Sequence, residues 1–198
     1  WECLRREELA PQMIRYIGEK PGPLLGQTLV VWHGFHFRPA IFLHESQQVR
    51  VEEVTIHSQP GMGIVGHRCE DLSFFGLRVV PEAGEILSTN TDATHFTSCK
   101  GELRFENCQF EGHGDDALNV HNYYYTLQNA RGNRCDAVLE EADAHAQVLD
   151  YPDVGDTLEL TRADSLAPVR TYRAAAVETD PRGWKTTLTL DAALPDDT

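Results

Sequence analysis

The chain has 198 residues, 41% of them hydrophobic, and its 31 acidic and 17 basic residues give a net charge of −14. This composition is typical of a globular protein. The negative charge argues against nucleic-acid and membrane-surface partners, which usually require basic patches. No run of 18 apolar residues is present, so no membrane-spanning helix is predicted.

The first residue is Trp1, not Met, so we expect a piece of a longer protein, and the lack of a visible leader does not locate it. Five cysteines form no CxxC pair and are odd in number. Neither a zinc site nor a disulfide framework is predicted from them. We expect the cysteines to act as small buried hydrophobic residues.

Three segments share one apolar pattern, with hydrophobic residues at their first, third, sixth and eighth positions. They span 49–56, 72–79 and 103–110, and they start 23 and 31 residues apart. We interpret the longer interval as one repeat plus an eight-residue insertion near 81–84. Short strand-like runs precede the three segments, and their alignment places Ile41, Ile64 and His95 at equivalent positions, eight residues before each segment.

A strand-only repeat of this length predicts a solenoid. The leucine-rich repeat has a similar period, but its signature is missing. We therefore predict an all-β fold, a right-handed parallel β-helix whose rungs stack about 4.8 Å apart. The alternative is a β-sandwich with accidental periodicity.

Two acidic clusters lie in this repeat region, Asn90-Thr91-Asp92 and Gly114-Asp115-Asp116. Asp92 and Asp116 are 24 residues apart, about one repeat, so we expect Asp92 to stand above Asp116 on a neighbouring rung. Adjacent residues on a strand point to opposite faces, but Gly112 and Gly114 permit a turn that would bring Asp115 into the same groove.

Carboxylates crowded in this way cannot all ionise freely, so one is expected to keep its proton and supply an acid beside a base. Glycoside hydrolysis needs such a set. Taken singly, each cluster could equally be a turn, a solvated loop or a calcium site. The register between the two clusters is what favours catalysis.

Polar residues near the acids are candidates for binding sugar hydroxyls: Asn90, His95, Asn119 and His121. The alternative for His95 is a side-chain ladder that stabilises the sheet, and for Asn90 a turn. His113 beside Asp115 gives two metal ligands without a third, so no metal and no other cofactor is predicted.

Beyond residue 128 the repeat pattern fades. Alternating segments at 157–161, 169–173 and 186–190, with a turn at 180–183, predict a small antiparallel β-barrel-like module. The predicted domains are therefore 1–128, the β-helix rungs that carry the site, and 129–198, an antiparallel module expected to continue past the last residue.

The runs at 87–96 and 115–121, with three tyrosines at 123–125, resemble the α-1,3-galactosidases of glycoside hydrolase family 110, as does the run at 60–71. The similarity covers most of 29–128. The resemblance implies an inverting exo-glycosidase that needs no metal and removes terminal α-1,3-linked galactose, for example from blood-group B type glycans. It also implies a β-barrel inserted into the helix, and a bacterial extracellular or periplasmic location.

A more distant similarity is to the polygalacturonases, whose later Gly-His-Gly and Arg-Ile-Lys motifs do not follow Asp116 here. By analogy with their carboxylates, Asp115 would be the acid, and Asp92 and Asp116 would activate water. An inverting acid and base stand about 6.5–9.5 Å apart, which favours a diagonal pair over the stacked pair. The alternatives are a polygalacturonase-like hydrolase, which the negative charge disfavours, and a carbohydrate-binding β-helix without chemistry.

Overall fold

The computed structural model describes residues 3–18, 26–30, 38–139, 151–180 and 185–195, and the described chain is all-β. Among these residues, no helix has the length and hydrophobicity needed to cross a bilayer. The turn predicted at 180–183 lies almost entirely outside the described residues.

The strands of the described residues form five sheets. An antiparallel pair comes first: β1 (Cys3–Ala10) and β2 (Met13–Gly18). Three parallel sheets follow, which we call the stacked sheets. The first contains β3 (Ile41–His44), β6 (Ile64–His67), β9 (Thr94–Thr97) and β12 (Asn119–His121). The second contains β4 (Gln47–Glu52), β7 (Glu70–Phe75) and β10 (Lys100–Glu106). The third contains β5 (Thr55–Ile56), β8 (Arg78–Val79) and β11 (Gln109–Phe110).

The last five strands form one antiparallel sheet, which we call the C-terminal sheet. Its members are β13 (Thr126–Arg131), β14 (Arg134–Val138), β15 (Thr157–Thr161), β16 (Pro168–Thr179) and β17 (Lys185–Leu190). Their order is β13-β14-β17-β16-β15.

The apolar repeat sets the register of the second parallel sheet. Val49 and Leu103 both pair with Leu72, as their equivalent positions in the pattern predict. Because inward residues of equal position stack on one another, the repeat builds a continuous core. Phe74, for example, lies 4.9 Å from Phe105 and 5.5 Å from Phe96 between ring centroids.

The predicted alignment of His95 with Ile64 is wrong by one residue. Ile64 pairs with Thr94, an interval of 30 residues. The second sheet keeps the interval of 31 because β10 contains a bulge, where Gly101 has a φ of 68°. The predicted eight-residue insertion is therefore divided, with seven residues in the loop at 80–88 and one in the bulge.

The turns between sheets repeat their backbone geometry. Glu45, Arg68 and Ser98, which follow equivalent strands of the first sheet, have φ values of 45°, 54° and 53°. Non-glycine residues adopt this left-handed conformation at a cost of about 1–2 kcal/mol. Its recurrence at the same point in each repeat shows that the stack imposes the turn, whatever the side chain.

A polar cluster joins the stacked sheets to the segment before β15. Lys100 Nζ donates to Asp153 and Asp156, each at 2.7 Å, and Arg68 contacts Asp153 at 2.5 Å. The Arg68 guanidinium also lies 4.5 Å from the ring centroid of Tyr151. These contacts hold the segment between β14 and β15 of the C-terminal sheet against the stacked sheets.

Candidate active site

Two loops of the stacked sheets carry the acidic clusters to one place. Asp92 precedes β9 and Asp116 precedes β12, in the register that those two strands share. The Ala93 amide donates to the carbonyl of Asp116 at 2.8 Å, and the Asp116 amide faces Asp92 Oδ1 at 3.4 Å. Residues 24 positions apart in sequence are therefore neighbours in space.

The carboxylates of Asp92, Asp115 and Asp116 converge, each offering an oxygen within 4.8 Å of the others. We call them the acidic trio. Asp92 is 3% exposed, whereas Asp115 and Asp116 are exposed. The trio thus has one buried member fixed by the fold and two members open to a ligand.

Gly114 explains how Asp115 reaches the same side as its neighbour. A Cβ at this position would lie 2.2 Å from the carbonyl oxygen of Asn90, so only glycine allows the two loops to approach this closely. The Gly114 amide donates to the carbonyl of Thr91 at 3.1 Å. The close approach locks the two acidic clusters together.

Asp92 is the first member of a chain of side-chain contacts. Its Oδ2 lies 2.6 Å from His95 Nδ1, and His95 Nε2 lies 2.9 Å from His121 Nε2. The His121 ring meets the ring of Tyr123 edge-on at 5.2 Å. Both nitrogens of His95 are engaged, so a sugar hydroxyl would have to displace one of them, and its predicted role in sugar binding stays a prediction.

The other predicted ligands surround the trio. Asn119 Nδ2 donates to Asp116 Oδ2 at 3.1 Å, which orients that carboxylate. The backbone amide of Asn90 donates to the backbone carbonyls of Gln59 and Gly61, in keeping with a turn-shaping role. His113 Nδ1 lies 2.7 Å from the carbonyl of Asp115 and so contacts backbone, not carboxylate.

The trio has the spacing that a hard cation could use. Among the described residues, however, no further His, Cys or carboxylate joins the three oxygens at that distance. Calcium takes six to eight oxygens, so three ligands alone do not identify a metal site. The absence of a metal requirement stays a prediction.

Charge around the trio is unbalanced. In the part of the chain that the structure describes, the ion pairs of these three carboxylates involve His95 and no Lys or Arg. Carboxylates without a fixed cation raise the cost of further negative charge nearby.

An open cavity of about 420 Å³ lies beside this site and shares Asn90 with it. Its other walls include Gln59, Pro60 and the loop residues Glu85 and Ile86. The trio does not line the cavity, so the cavity and the three carboxylates are neighbouring but separate features.

No protein-family model matches the chain. Curated relatives do. Alpha-1,3-galactosidase B of Phocaeicola vulgatus is 36% identical over 121 residues, 59% of this chain and 20% of the relative. Alpha-1,3-galactosidase A of Shewanella woodyi is 31% identical over 120 residues, with the same coverage. Alpha-1,3-galactosidase B of Parabacteroides distasonis is 27% identical over 164 residues, 80% of this chain and 26% of the relative.

The chain resembles the α-1,3-galactosidases. It spans about a fifth of the length of the first two relatives, so the activity of those whole proteins is not thereby established for it.

Sequence reasoning missed the contact between His95 and His121. His95 pairs with Asn119, so His121 is its diagonal neighbour on the adjacent strand. Diagonal neighbours in a sheet lie within reach of long or ring side chains. The pairing of β9 with β12 makes His95 and His121 neighbours, but it does not determine how their rings are oriented.

Proposed function

We propose that this chain carries the active site of an α-1,3-galactosidase, which removes terminal α-1,3-linked galactose from glycans such as the blood-group B type. The observation that supports this most strongly is the convergence of Asp92, Asp115 and Asp116 within 4.8 Å, in a region similar to proteins of that name. Three acids that form no ion pair with a Lys or Arg of the described residues are costly for structure alone.

In the proposed reaction Asp115 gives a proton to the glycosidic oxygen as the bond from that oxygen to the anomeric carbon breaks. Asp92 and Asp116 hold a water, take its proton, and direct its oxygen to the anomeric carbon. Asp115 is exposed and can meet a leaving group from solvent, whereas the buried Asp92 is placed for the water.

The proposed stereochemistry, inversion, comes from the resemblance. One oxygen of each carboxylate lies within 4.8 Å of the other two. A separation of roughly 6.5–9.5 Å between the acid and base carboxyl groups accompanies inversion, and one of roughly 5–5.5 Å accompanies retention. Proton NMR of the first galactose released decides: a β product supports inversion, and an α product means retention.

We further propose that the stacked sheets are three faces of a right-handed parallel β-helix. Parallel strands in the orders β10-β7-β4, β11-β8-β5 and β12-β9-β6-β3 support this. A bacterial extracellular or periplasmic location goes with the proposal, in keeping with bacterial relatives and a glycan substrate.

Replacing Asp115 with Asn tests the catalytic assignment. Loss of a general acid lowers kcat by roughly 10²–10⁴-fold, and binding of galactose should persist. The matched control is Asp164→Asn, whose carboxylate lies on the surface near Arg162. Assays should use the protein from its complete reading frame.

Substrate choice separates the proposal from its rivals. Hydrolysis of an α-1,3-linked galactobioside without hydrolysis of polygalacturonate supports it. Turnover of polygalacturonate alone would identify a polygalacturonase-like enzyme. Galactoside binding without turnover by the parent protein would identify a binding module.

A further inference from the structure

Asp92, His95 and His121 form a continuous chain in the partly buried centre of the candidate site. The side chain of Asp92 is 5% exposed and that of His95 18%. In such surroundings hydrogen bonds are stronger than in water, and an unpaired polar atom is costly. Each of the two contacts, at 2.6 Å and 2.9 Å, must therefore contain one hydrogen.

The charge of Asp92 decides where these hydrogens lie. An ionised carboxylate accepts hydrogen bonds and cannot donate, so Nδ1 of His95 carries a hydrogen. When His95 is neutral, its Nε2 is then an acceptor. His121 must donate to it from Nε2, which leaves Nδ1 of His121 without a hydrogen.

A positive charge on His95 reverses this order. If His95 carries hydrogens on both nitrogens, it donates to His121 Nε2, and Nδ1 of His121 becomes the donor. The neutral arrangement therefore makes His121 the donor that satisfies the far side of the His95 ring.

We propose that His121 is a positioning residue for the hydrolytic step. By donating to His95 Nε2 it holds His95 in the Nδ1–H tautomer, and His95 in turn fixes Oδ2 of Asp92. The carboxylate is then held with Oδ1 available for the water proton. The kinetic consequence rests on the proposed function, whereas the tautomer assignment stands on the geometry alone.

Long-range ¹⁵N–¹H correlation NMR on protein labelled with ¹⁵N-histidine reads the tautomers directly. At alkaline pH, where both rings are neutral, we expect hydrogen on Nδ1 of His95 and on Nε2 of His121. Hydrogen on Nδ1 of His121 at that pH, or on both nitrogens of His95, would overturn the assignment whatever the activity.

The kinetic test compares two variants of His121. His121→Phe keeps a ring but removes the donor, and kcat should fall roughly tenfold to a hundredfold, as when a group that orients a functional histidine is removed. KM should change by less than about twofold. His121→Gln, whose amide can still donate, should recover most of kcat.

The matched control is His44→Phe, the same substitution on the same sheet, three strands away. It should leave kcat unchanged. Equal losses in His121→Phe and His121→Gln, or a loss confined to KM, would refute the positioning role. If the parent protein hydrolyses no α-1,3-galactoside, the proposed function fails, and the NMR result still decides the hydrogen-bond chain.

Discussion

Two aspartates, one in each large region of the molecule, are almost equally buried and differently used. Asp92 in the stacked sheets is 3% exposed, and Asp136 in the C-terminal sheet is 9% exposed. Asp136 accepts from Lys185 at 2.8 Å and from Asn129 and Thr187 at 2.8 and 2.9 Å. A cation and two neutral donors thus satisfy its charge.

In the described part of the chain, no Lys or Arg forms an ion pair with Asp92. It contacts the imidazole of His95, and two other carboxylates lie nearby. The difference follows from topology. Antiparallel pairing brings Asp136 opposite Thr187 on the neighbouring strand β17. Parallel stacking brings together residues a whole repeat apart, so like charges can be assembled on one surface.

The largest expected effect separates these two aspartates by activity. Asp92→Asn should lower kcat by roughly 10²–10⁴-fold, because it removes the proposed base. Asp136→Asn should leave kcat within about twofold of the parent, because its partners are structural. Initial rates on an α-1,3-linked galactobioside measure both. A large loss of kcat in a folded Asp136→Asn variant would contradict the assignment of a catalytic role to Asp92 and a structural role to Asp136.

Core truncations compare the stability of the two regions. Phe74→Ala should lower the free energy of unfolding by about 3–5 kcal/mol, because the fully buried ring stacks on Phe105 and packs at a tilt against Phe96. Leu188→Ala in the C-terminal sheet should cost about 2–4 kcal/mol. Guanidinium denaturation followed by circular dichroism gives both values. A cost below about 1 kcal/mol for Phe74→Ala would contradict close packing there.

Acid should weaken the stabilisation that the ionised Asp136 carboxylate gives to the C-terminal sheet. The hydrogen bond from Lys185, then those from Asn129 and Thr187, lowers the pKa of Asp136 from 3.8 to about 2. Because the pKa of Asp136 is lower in the folded than in the unfolded protein, its ionised carboxylate stabilises the fold at pH values above 3.8. This stabilisation is lost as the pH falls from 3.8 through about 2.

The stability difference between the parent and Asp136→Asn should accordingly shrink over that pH interval. Urea denaturation of both proteins at several pH values measures it. A difference that is constant from neutral pH to pH 2 would show that the network does not act through the charge of Asp136.

The smallest expected effect concerns the junction between the regions. Lys100→Met removes contacts to Asp153 and Asp156 in a half-exposed cluster. Exposed ion pairs contribute about 0–1 kcal/mol, so the variant should lose less than about 1 kcal/mol, and added salt should reduce the difference. A loss of several kcal/mol would mean that the two regions depend on this junction for folding.

The fold was most predictable where the repeat of apolar residues in the sequence matches the pairing of the strands. Val49, Leu72 and Leu103 pair as their pattern predicts because inward residues must stack. The single-residue error at His95 arises from the bulge at Gly101, which no apolar pattern marks. The hairpin of β1 and β2 was not anticipated, because charged residues hide its alternation.

The sequence was enough to predict which acidic residues come together at the candidate site, but not how their side chains are oriented. The interval between Asp92 and Asp116 led to a contact between loops. The contact of His95 with His121 depends on how the two rings rotate, which the sequence does not indicate. The left-handed turns at Glu45 and Arg68 are imposed by the stacked strands, so they have no local sequence signal either.

The bulge at Gly101 has a consequence for how such proteins change over time. Together with the loop at 80–88 it absorbs a whole insertion, and the strands on either side return to their common phase. Residues 82–86 are the exposed part of this loop, whereas Val80 and Ser88 are buried in the stack. A change of length or sequence at 82–86 would therefore reshape the cavity wall at Glu85 and Ile86 and would replace none of the three carboxylates.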